Sequence, residues 1–209
     1  MKPKLLVATR NPGKQREIRA LLSDVGFALE FPDDRGLWER PEEAAIEDAE
    51  SFTGNARRKA EYFAKLAGLP TVAEDSGLEV FAIGGAPGVH SRRFAFPPAP
   101  DTAEQDAANN TELLRRLAGA SADRRRARYR CVVCFLERHD GVPHLFEGDC
   151  LGRILTAPEG SAGFGYDPLF HSDDLAKSFG LATPEEKASV SHRARAFRAF
   201  AEWLAAHRA

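Results

Sequence analysis
Leu5-Leu6-Val7-Ala8, followed by Thr9-Arg10-Asn11-Pro12-Gly13-Lys14, is the stretch that decides the fold class. The four apolar residues read as a short buried strand and the next six as a turn. Ile18, Leu21, Leu22 and Val25 then recur at i, i+3, i+4 and i+7, the apolar stripe of a helix. Gly26 is its expected C-cap. Further along, Phe27–Phe31 suits a second strand and Asp33–Glu43 a polar loop. A long helix starts between Ala44 and Asp48 and runs to Leu66. It buries Phe52, Ala56, Ala60, Phe63 and Ala67, with Glu47, Ser51, Asn55 and Lys59 four apart beside them.

Leu69–Ala73 and Leu78–Ala82 read as strands on either side of Glu74-Asp75-Ser76-Gly77, a turn by composition. Thr102-x-x-Gln105 is a capping box opening a helix to about Leu117. Arg128–Arg138 and His144–Leu155 read as strands, joined as a hairpin around Asp140-Gly141. Thr183-x-x-Glu186 is a second capping box, ahead of a last helix from Ser191 to Ala206 with Phe197, Phe200, Ala201 and Leu204 inward. Strands and helices alternate irregularly, so the expected class is α/β with a mixed sheet.

Composition excludes several functions. Lys plus Arg is 29 and Asp plus Glu is 31 in 209 residues, so there is no electrostatic footprint for duplex nucleic acid or an anionic membrane. No stretch approaches the roughly 20 apolar residues of a membrane span, and Leu5–Ala8 is too short for a signal-peptide core. A single cytoplasmic domain over 1–209 is expected. Three cysteines fit a reducing compartment. Cys131 and Cys134 spell C-x-x-C, but three positions apart on a strand they face opposite sides, so core packing is expected of them.

Five places carry candidate chemistry. Thr9-x-Asn11-x-x-Lys14 offers a helix N-terminus, a glycine and a cation, the components of a phosphate site. It is not a P-loop, and the plain alternative is a strand–helix turn with a solvated lysine. Glu74-Asp75 supplies two acids for a hard cation or a general base; the alternative is a solvated turn. Glu47 and Lys59 form a surface pair or the wall of a charged site. Gly163-Phe164-Gly165-Tyr166-Asp167-Pro168 sets a ring between two glycines, ready to stack on a nucleobase, or simply packs as an aromatic turn. Lys187 and Ser191-His192-Arg193 put cations in the first turn of the last helix or just before it, against its dipole. Seven of the 29 basic residues are lysines, and three of these, Lys14, Lys59 and Lys187, fall in the motifs.

The order of the motifs is more specific than any one of them. Thr9-x-Asn11-x-x-Lys14, Ser51-Phe52-x-x-Asn55-Ala56-x-x-Lys59-Ala60, Glu74-Asp75-Ser76-Gly77-Leu78, Gly85-Ala86-Pro87-Gly88 with Ser91-x-Arg93, Gly163 to Pro168, and Glu186-Lys187-x-x-x-Ser191-His192-Arg193 follow one another along the chain. In this the sequence closely resembles the inosine/xanthosine triphosphate pyrophosphatase family from Leu5 to Leu204. It departs from the family at Glu47-Asp48-Ala49, where Glu-Thr-Gly or Glu-Asp-Gly is usual, and at Gly54, where a glutamate is common.

The resemblance implies an elongated α/β fold with a long mixed sheet, flanking helices, and two lobes around a central nucleotide-binding cleft. It also implies a homodimer, Mg²⁺, and hydrolysis of ITP, dITP and XTP to monophosphate plus pyrophosphate. Carried over by position, Asp75 and Lys59 are catalytic, and Glu47 and Asp75 hold the metal. Thr9, Arg10, Asn11, Pro12, Gly13, Lys14, Ser76, Phe164, Gly165, Tyr166, Asp167, Lys187, His192 and Arg193 bind substrate, with His192 and Arg193 as donors toward the purine 6-oxo group. Two rivals are a septum-formation (Maf) type pyrophosphatase of pyrimidine or modified nucleotides, and a non-catalytic nucleotide-binding protein.

Overall fold
The computed structural model describes residues 2–99 and 101–207. Twelve α and β elements follow in chain order: β1 (Lys4–Val7), α1 (Pro12–Leu21), β2 (Ala28–Glu30), α2 (Phe52–Ala67), β3 (Thr71–Val80), α3 (Thr102–Arg116), β4 (Arg126–Leu136), β5 (His144–Ile154), β6 (Phe170–Ser172), β7 (Lys177–Ser178), α4 (Pro184–Val190) and α5 (His192–His207). The strands form one open sheet in the order β2-β1-β3-β4-β5-β6-β7. Its β1 pairs in parallel with β2 and β3, with Leu6 opposite Thr71. The other end is antiparallel, β5 with β6 and β6 with β7. The class is α/β with a mixed sheet, as expected.

Two compact units divide the described chain. The first comprises residues 2–75, 131–148 and 193–207; the second comprises 76–130 and 149–192, leaving out position 100. Each has its own core. In the first, Leu5, Val7, Ile18, Leu22, Phe31, Val72, Val133, Phe197 and Phe200 pack together. In the second, Leu78, Val80, Leu113, Tyr129, Ile154, Tyr166, Phe170 and Phe179 do so. At ~1.5–3 kcal/mol for each large side chain removed from water, both cores are substantial. Cys131, Cys134 and Cys150 are buried and form no disulfide among the described residues. No described helix is long and apolar enough to cross a membrane.

Local chemistry explains most boundaries. Asn11 caps α1 by accepting from the Lys14 amide at 3.0 Å, and Pro12 opens the helix, where its missing N–H costs nothing. Ser51 caps α2 through the Gly54 amide, and Gly68 ends it in the left-handed conformation at φ +63°. The Thr183–Glu186 capping box forms in full.

The structure corrects six expectations. Pro12, Gly13 and Lys14, read as part of a turn, are the first residues of α1, because Asn11 caps the helix ahead of them. The first helix ends at Leu21, capped by Leu22 and not by Gly26; Leu21 and Val25 pack only partly on the core. The polar segment after β2 contains two short 3₁₀ turns, at Asp33–Arg35 and Pro41–Ala45. Asp101 caps α3 in place of Thr102, while Gln105 is spent inward on Asn109 and the Ala99 amide. The long helix starts only at Phe52, so Glu47 precedes it. Most consequential, Glu74-Asp75-Ser76-Gly77 is no turn but the middle of β3. Acids and glycine suggest a turn because they are normally solvated, but here Glu74 and Asp75 are 2% and 8% exposed, and partners distant in sequence compensate their charge.

Candidate functional site
The first unit gathers a buried charged cluster around the β3 acids. Consecutive strand residues face opposite ways, and the two carboxylates accordingly have different partners. Asp75 Oδ2 accepts from Asn55 Nδ2 at 2.9 Å. On the Glu74 carboxylate, Oε1 lies 2.7 Å from Lys14 Nζ and 3.7 Å from Arg193 Nε, and the Cys131 thiol is 3.5 Å from Oε2. Burial pushes the Glu74 carboxyl upward, but Lys14, Arg193 and Lys59 outweigh it and hold it far below the usual carboxylate range. Asp75 goes the other way: burial raises its carboxyl, and the Lys59 and Lys14 charges only partly offset this.

Lys59, 7% exposed, donates to the Glu74 backbone carbonyl at 3.2 Å and pairs with Glu47. Burial opposes its charge, but Glu47, Asp75 and Glu74 together raise its pKa. Glu47 thus reaches Lys59 without sharing its helix. Asn55 makes this possible by accepting from the Ala49 amide at 2.8 Å, which folds the preceding turn back onto α2. Gly54 is part of the same arrangement: a Cβ there would stand 2.8 Å from the Ala49 Cβ. The departure from the family pattern at Gly54 therefore has a local steric reason.

At the β1–α1 turn, Thr9 accepts from the Asn11 amide, and the Asn11 side chain is committed to its capping role. Gly13 is buried in the first turn, beside Pro12 and Lys14. Arg10 forms a two-pronged pair with Glu43 at 3.0 and 2.9 Å and reaches Asp33. Sequence reasoning missed Glu43 and also Glu17, which lies 2.5 Å from the buried Arg193 guanidinium. Arg193, expected at a base edge, lies in this first unit, where its guanidinium faces carboxylates. A buried guanidinium needs carboxylates, and Glu17 and Glu74 provide them.

No group of three or more His, Cys, Asp or Glu side chains is poised for a metal among the described residues. The oxygen donors of Glu47 and Asp75, both acting on Lys59, fit a hard cation that completes its shell with water and phosphate oxygens.

The second unit contains Ser76, half-buried on β3, and a separate cluster around the glycine-rich loop. Gly163 has φ +80°, and a Cβ there would lie 2.0 Å from Asp167 Oδ2. That carboxylate accepts from the Phe164 amide at 2.8 Å and from Lys187 Nζ at 2.5 Å. Asp167 thus braces the loop. The Lys187 ammonium also lies 4.9 Å from the Phe164 ring centroid, within cation–π range. Helix α3 pins the loop further: Asp106 accepts from the Gly165 amide and Asn110 donates to the Gly165 carbonyl. Neither was singled out from sequence, although their four-residue spacing places them on one helix face.

Tyr166 is only 3% exposed and donates to the Ser91 carbonyl, which makes it a core residue of this unit. Its burial, with Asp106 nearby, pushes the phenol upward. The His192 ring stacks on Tyr129, with centroids 4.6 Å apart and planes 8° apart. The structure therefore brings Phe164, Gly165, Asp167 and Lys187 together in this unit. It places Arg10, Asn11, Lys14, Glu47, Lys59, Asp75 and Arg193 in the other.

An open mixed sheet flanked by helices, with two clusters of buried charge, defines an α/β protein of a restricted kind. The chain belongs to the Ham1 family, whose profile matches residues 5–203. A Syntrophobacter fumaroxidans protein named dITP/XTP pyrophosphatase is 47% identical over 192 residues, covering 92% of this chain and 78% of the relative. A Mannheimia succiniciproducens protein of the same name is 42% identical over 197 residues, covering 94% and 95%. The structure of a HAM1 protein from Coxiella burnetii superposes with a TM-score of 0.84 at 31% identity, covering 98% of this chain and 99% of that one.

Proposed function
We infer that this protein hydrolyses deaminated purine nucleoside triphosphates (dITP, ITP and XTP) to the monophosphate and pyrophosphate. The names of its relatives point to this activity. The observation that carries it within the chain is that buried Lys59 and Asp75 act on each other, with the part-exposed Glu47 paired to Lys59 and the charge of Lys14, in the first turn of α1, also acting on Asp75. In this reading the first unit's cluster takes the triphosphate. Lys14, Lys59 and the α1 amide groups meet phosphate oxygens, while Glu47 and Asp75 hold Mg²⁺. When bound, the ion supplies charge neutralisation on the phosphates.

Asp75 orients a water molecule and takes its proton. The water oxygen bonds to the α-phosphorus, the bond from that phosphorus to the α,β-bridging oxygen breaks, and pyrophosphate leaves with the bonding pair. The burial that raises Asp75 suits a proton acceptor, since catalytic bases work best with a pKa drawn toward the operating pH. Lys59 stabilises the charge that builds on the transferred group.

The second unit's loop takes the base. Phe164 stacks on the purine, a contact worth ~1–3 kcal/mol, and His192, fixed on Tyr129, donates toward the 6-oxo group. Adenine offers an amino donor at that position, leaving a buried polar group unpaired, which is a strong basis for rejection. The homodimer and cytoplasmic location implied by the resemblance belong to the same proposal. A panel of ITP, dITP, XTP, ATP, GTP and dUTP with Mg²⁺, read by pyrophosphate release, tests it. Turnover of ITP, dITP and XTP far above ATP and GTP is expected; GTP shares the 6-oxo group, so its rejection falls on the 2-amino group. Preference for the pyrimidine would favour the Maf-type rival, and no turnover the non-catalytic one.

A further inference from the structure
We propose that Glu74 is a positioning residue, whose carboxylate holds the Lys14 ammonium in place for the triphosphate and is not a ligand to the metal. The proposal rests on the function inferred above and adds a role for the acid next to the catalytic one. Adjacent in sequence, Glu74 and Asp75 would pass for a joint metal site. Strand geometry separates them, because β3 runs unbroken through both and sends consecutive side chains to opposite faces. Asp75 meets Asn55, while the Glu74 carboxylate meets Lys14, Arg193 and the Cys131 thiol. The hydrogen bond from Lys59 goes to the Glu74 backbone carbonyl, and its charge acts on the Glu74 carboxylate after those of Lys14 and Arg193.

Charge points the same way. The Glu74 side chain is 1% exposed and already faces two cations. A divalent ion there would sit beside both, with no water to screen the repulsion. Lys14, in contrast, needs an anion. It stands in the first turn of α1, where the helix dipole disfavours a cation, and Arg193 has a second carboxylate in Glu17. Glu74 is thus the group that fixes a long, flexible ammonium in one position before any phosphate arrives.

Glu74→Gln, Lys14→Gln and the pair are compared in the full-length protein, with Asp75→Asn as the metal-site control. Circular dichroism checks folding, calorimetric titration reads MnCl₂ affinity with and without α,β-methylene-ITP, and pyrophosphate release from ITP gives kcat. Glu74→Gln is expected to keep Mn²⁺ affinity within about twofold and to lose kcat by about tenfold or more. The pair should be no slower than Lys14→Gln alone, since both changes break one unit. A tenfold loss of Mn²⁺ affinity in Glu74→Gln overturns the proposal, as do unchanged kcat or strictly multiplying losses in the pair. If Glu74→Gln does not fold, Glu74→Asp keeps the charge but withdraws it by one methylene. Reduced kcat with intact Mn²⁺ binding supports the proposal, and full kcat refutes it. A wild type that releases no pyrophosphate from ITP overturns the functional reading instead, and the Mn²⁺ titration still decides whether Glu74 is a ligand.

Discussion

Replacing Asp167 with asparagine keeps the shape of the side chain and removes its charge. In the folded protein Asp167 is 2% exposed, and its Oδ2 lies 2.5 Å from the ammonium of Lys187, itself 7% exposed. Removing one member of a buried ion pair deprives the other charge of its bonded carboxylate, at a cost of ~3–5 kcal/mol. In a chain of this length each kcal/mol moves the melting midpoint by about 2–4 °C, so Asp167→Asn should melt about 6–20 °C lower. Lys187→Met in the same chain removes the stranded charge and keeps an unbranched chain against Phe164 and Phe179, the rings now under the ammonium. The pair should therefore recover most of the loss. Calorimetric melts of the two single variants, the pair and the wild type give the answer. A single variant melting within about 2 °C of wild type, or a pair melting below Asp167→Asn, would falsify the reasoning that this ion pair braces the loop.

Other expectations follow from the first unit. Asp75→Asn should fold and lose about 10²-fold or more in turnover, as expected for a general base; near-normal pyrophosphate release would remove that assignment. Lys59→Ala should lower kcat more than it weakens binding of α,β-methylene-ITP, because its charge acts mainly in the transition state; equal losses would make it a binding group only. The buried thiols should resist a disulfide exchange reagent at pH 8 and react fully once the protein is unfolded. Burial pushes Cys134 up to about 12 from an ordinary 9.0. Between those values the unfolded chain has lost the proton and the folded one has not. This thiol's contribution is thus complete below pH 9 and is lost as pH rises toward 12, by up to ~1.4 kcal/mol per pH unit. Cys134→Ala should flatten the alkaline fall in stability seen by denaturant titration at each pH; an unchanged slope would refute this.

Sequence by itself determined whatever depends on near neighbours. The strand at Leu5–Val7, the β4 and β5 strands, the Thr183–Glu186 box and the apolar stripe of α5 each follow from periodicity or from a side chain bonding a backbone group three residues away. The motif order also named many of the residues that form the charged clusters, though not Glu17 or Glu43. Tertiary structure decided how those candidates are paired. Nothing local tells that Glu74 and Asp75 lie in mid-strand, because their compensating charges come from Lys14, Lys59 and Arg193 on three other elements. Arg193 finds Glu17 across 176 positions, and Glu47 meets Lys59 through a turn that Asn55 and Gly54 fold back, not along a shared helix. Local propensity assumes that a charged group remains solvated. Whether a buried charge is affordable depends on which opposite charges the fold delivers to it, and only the folded chain specifies that.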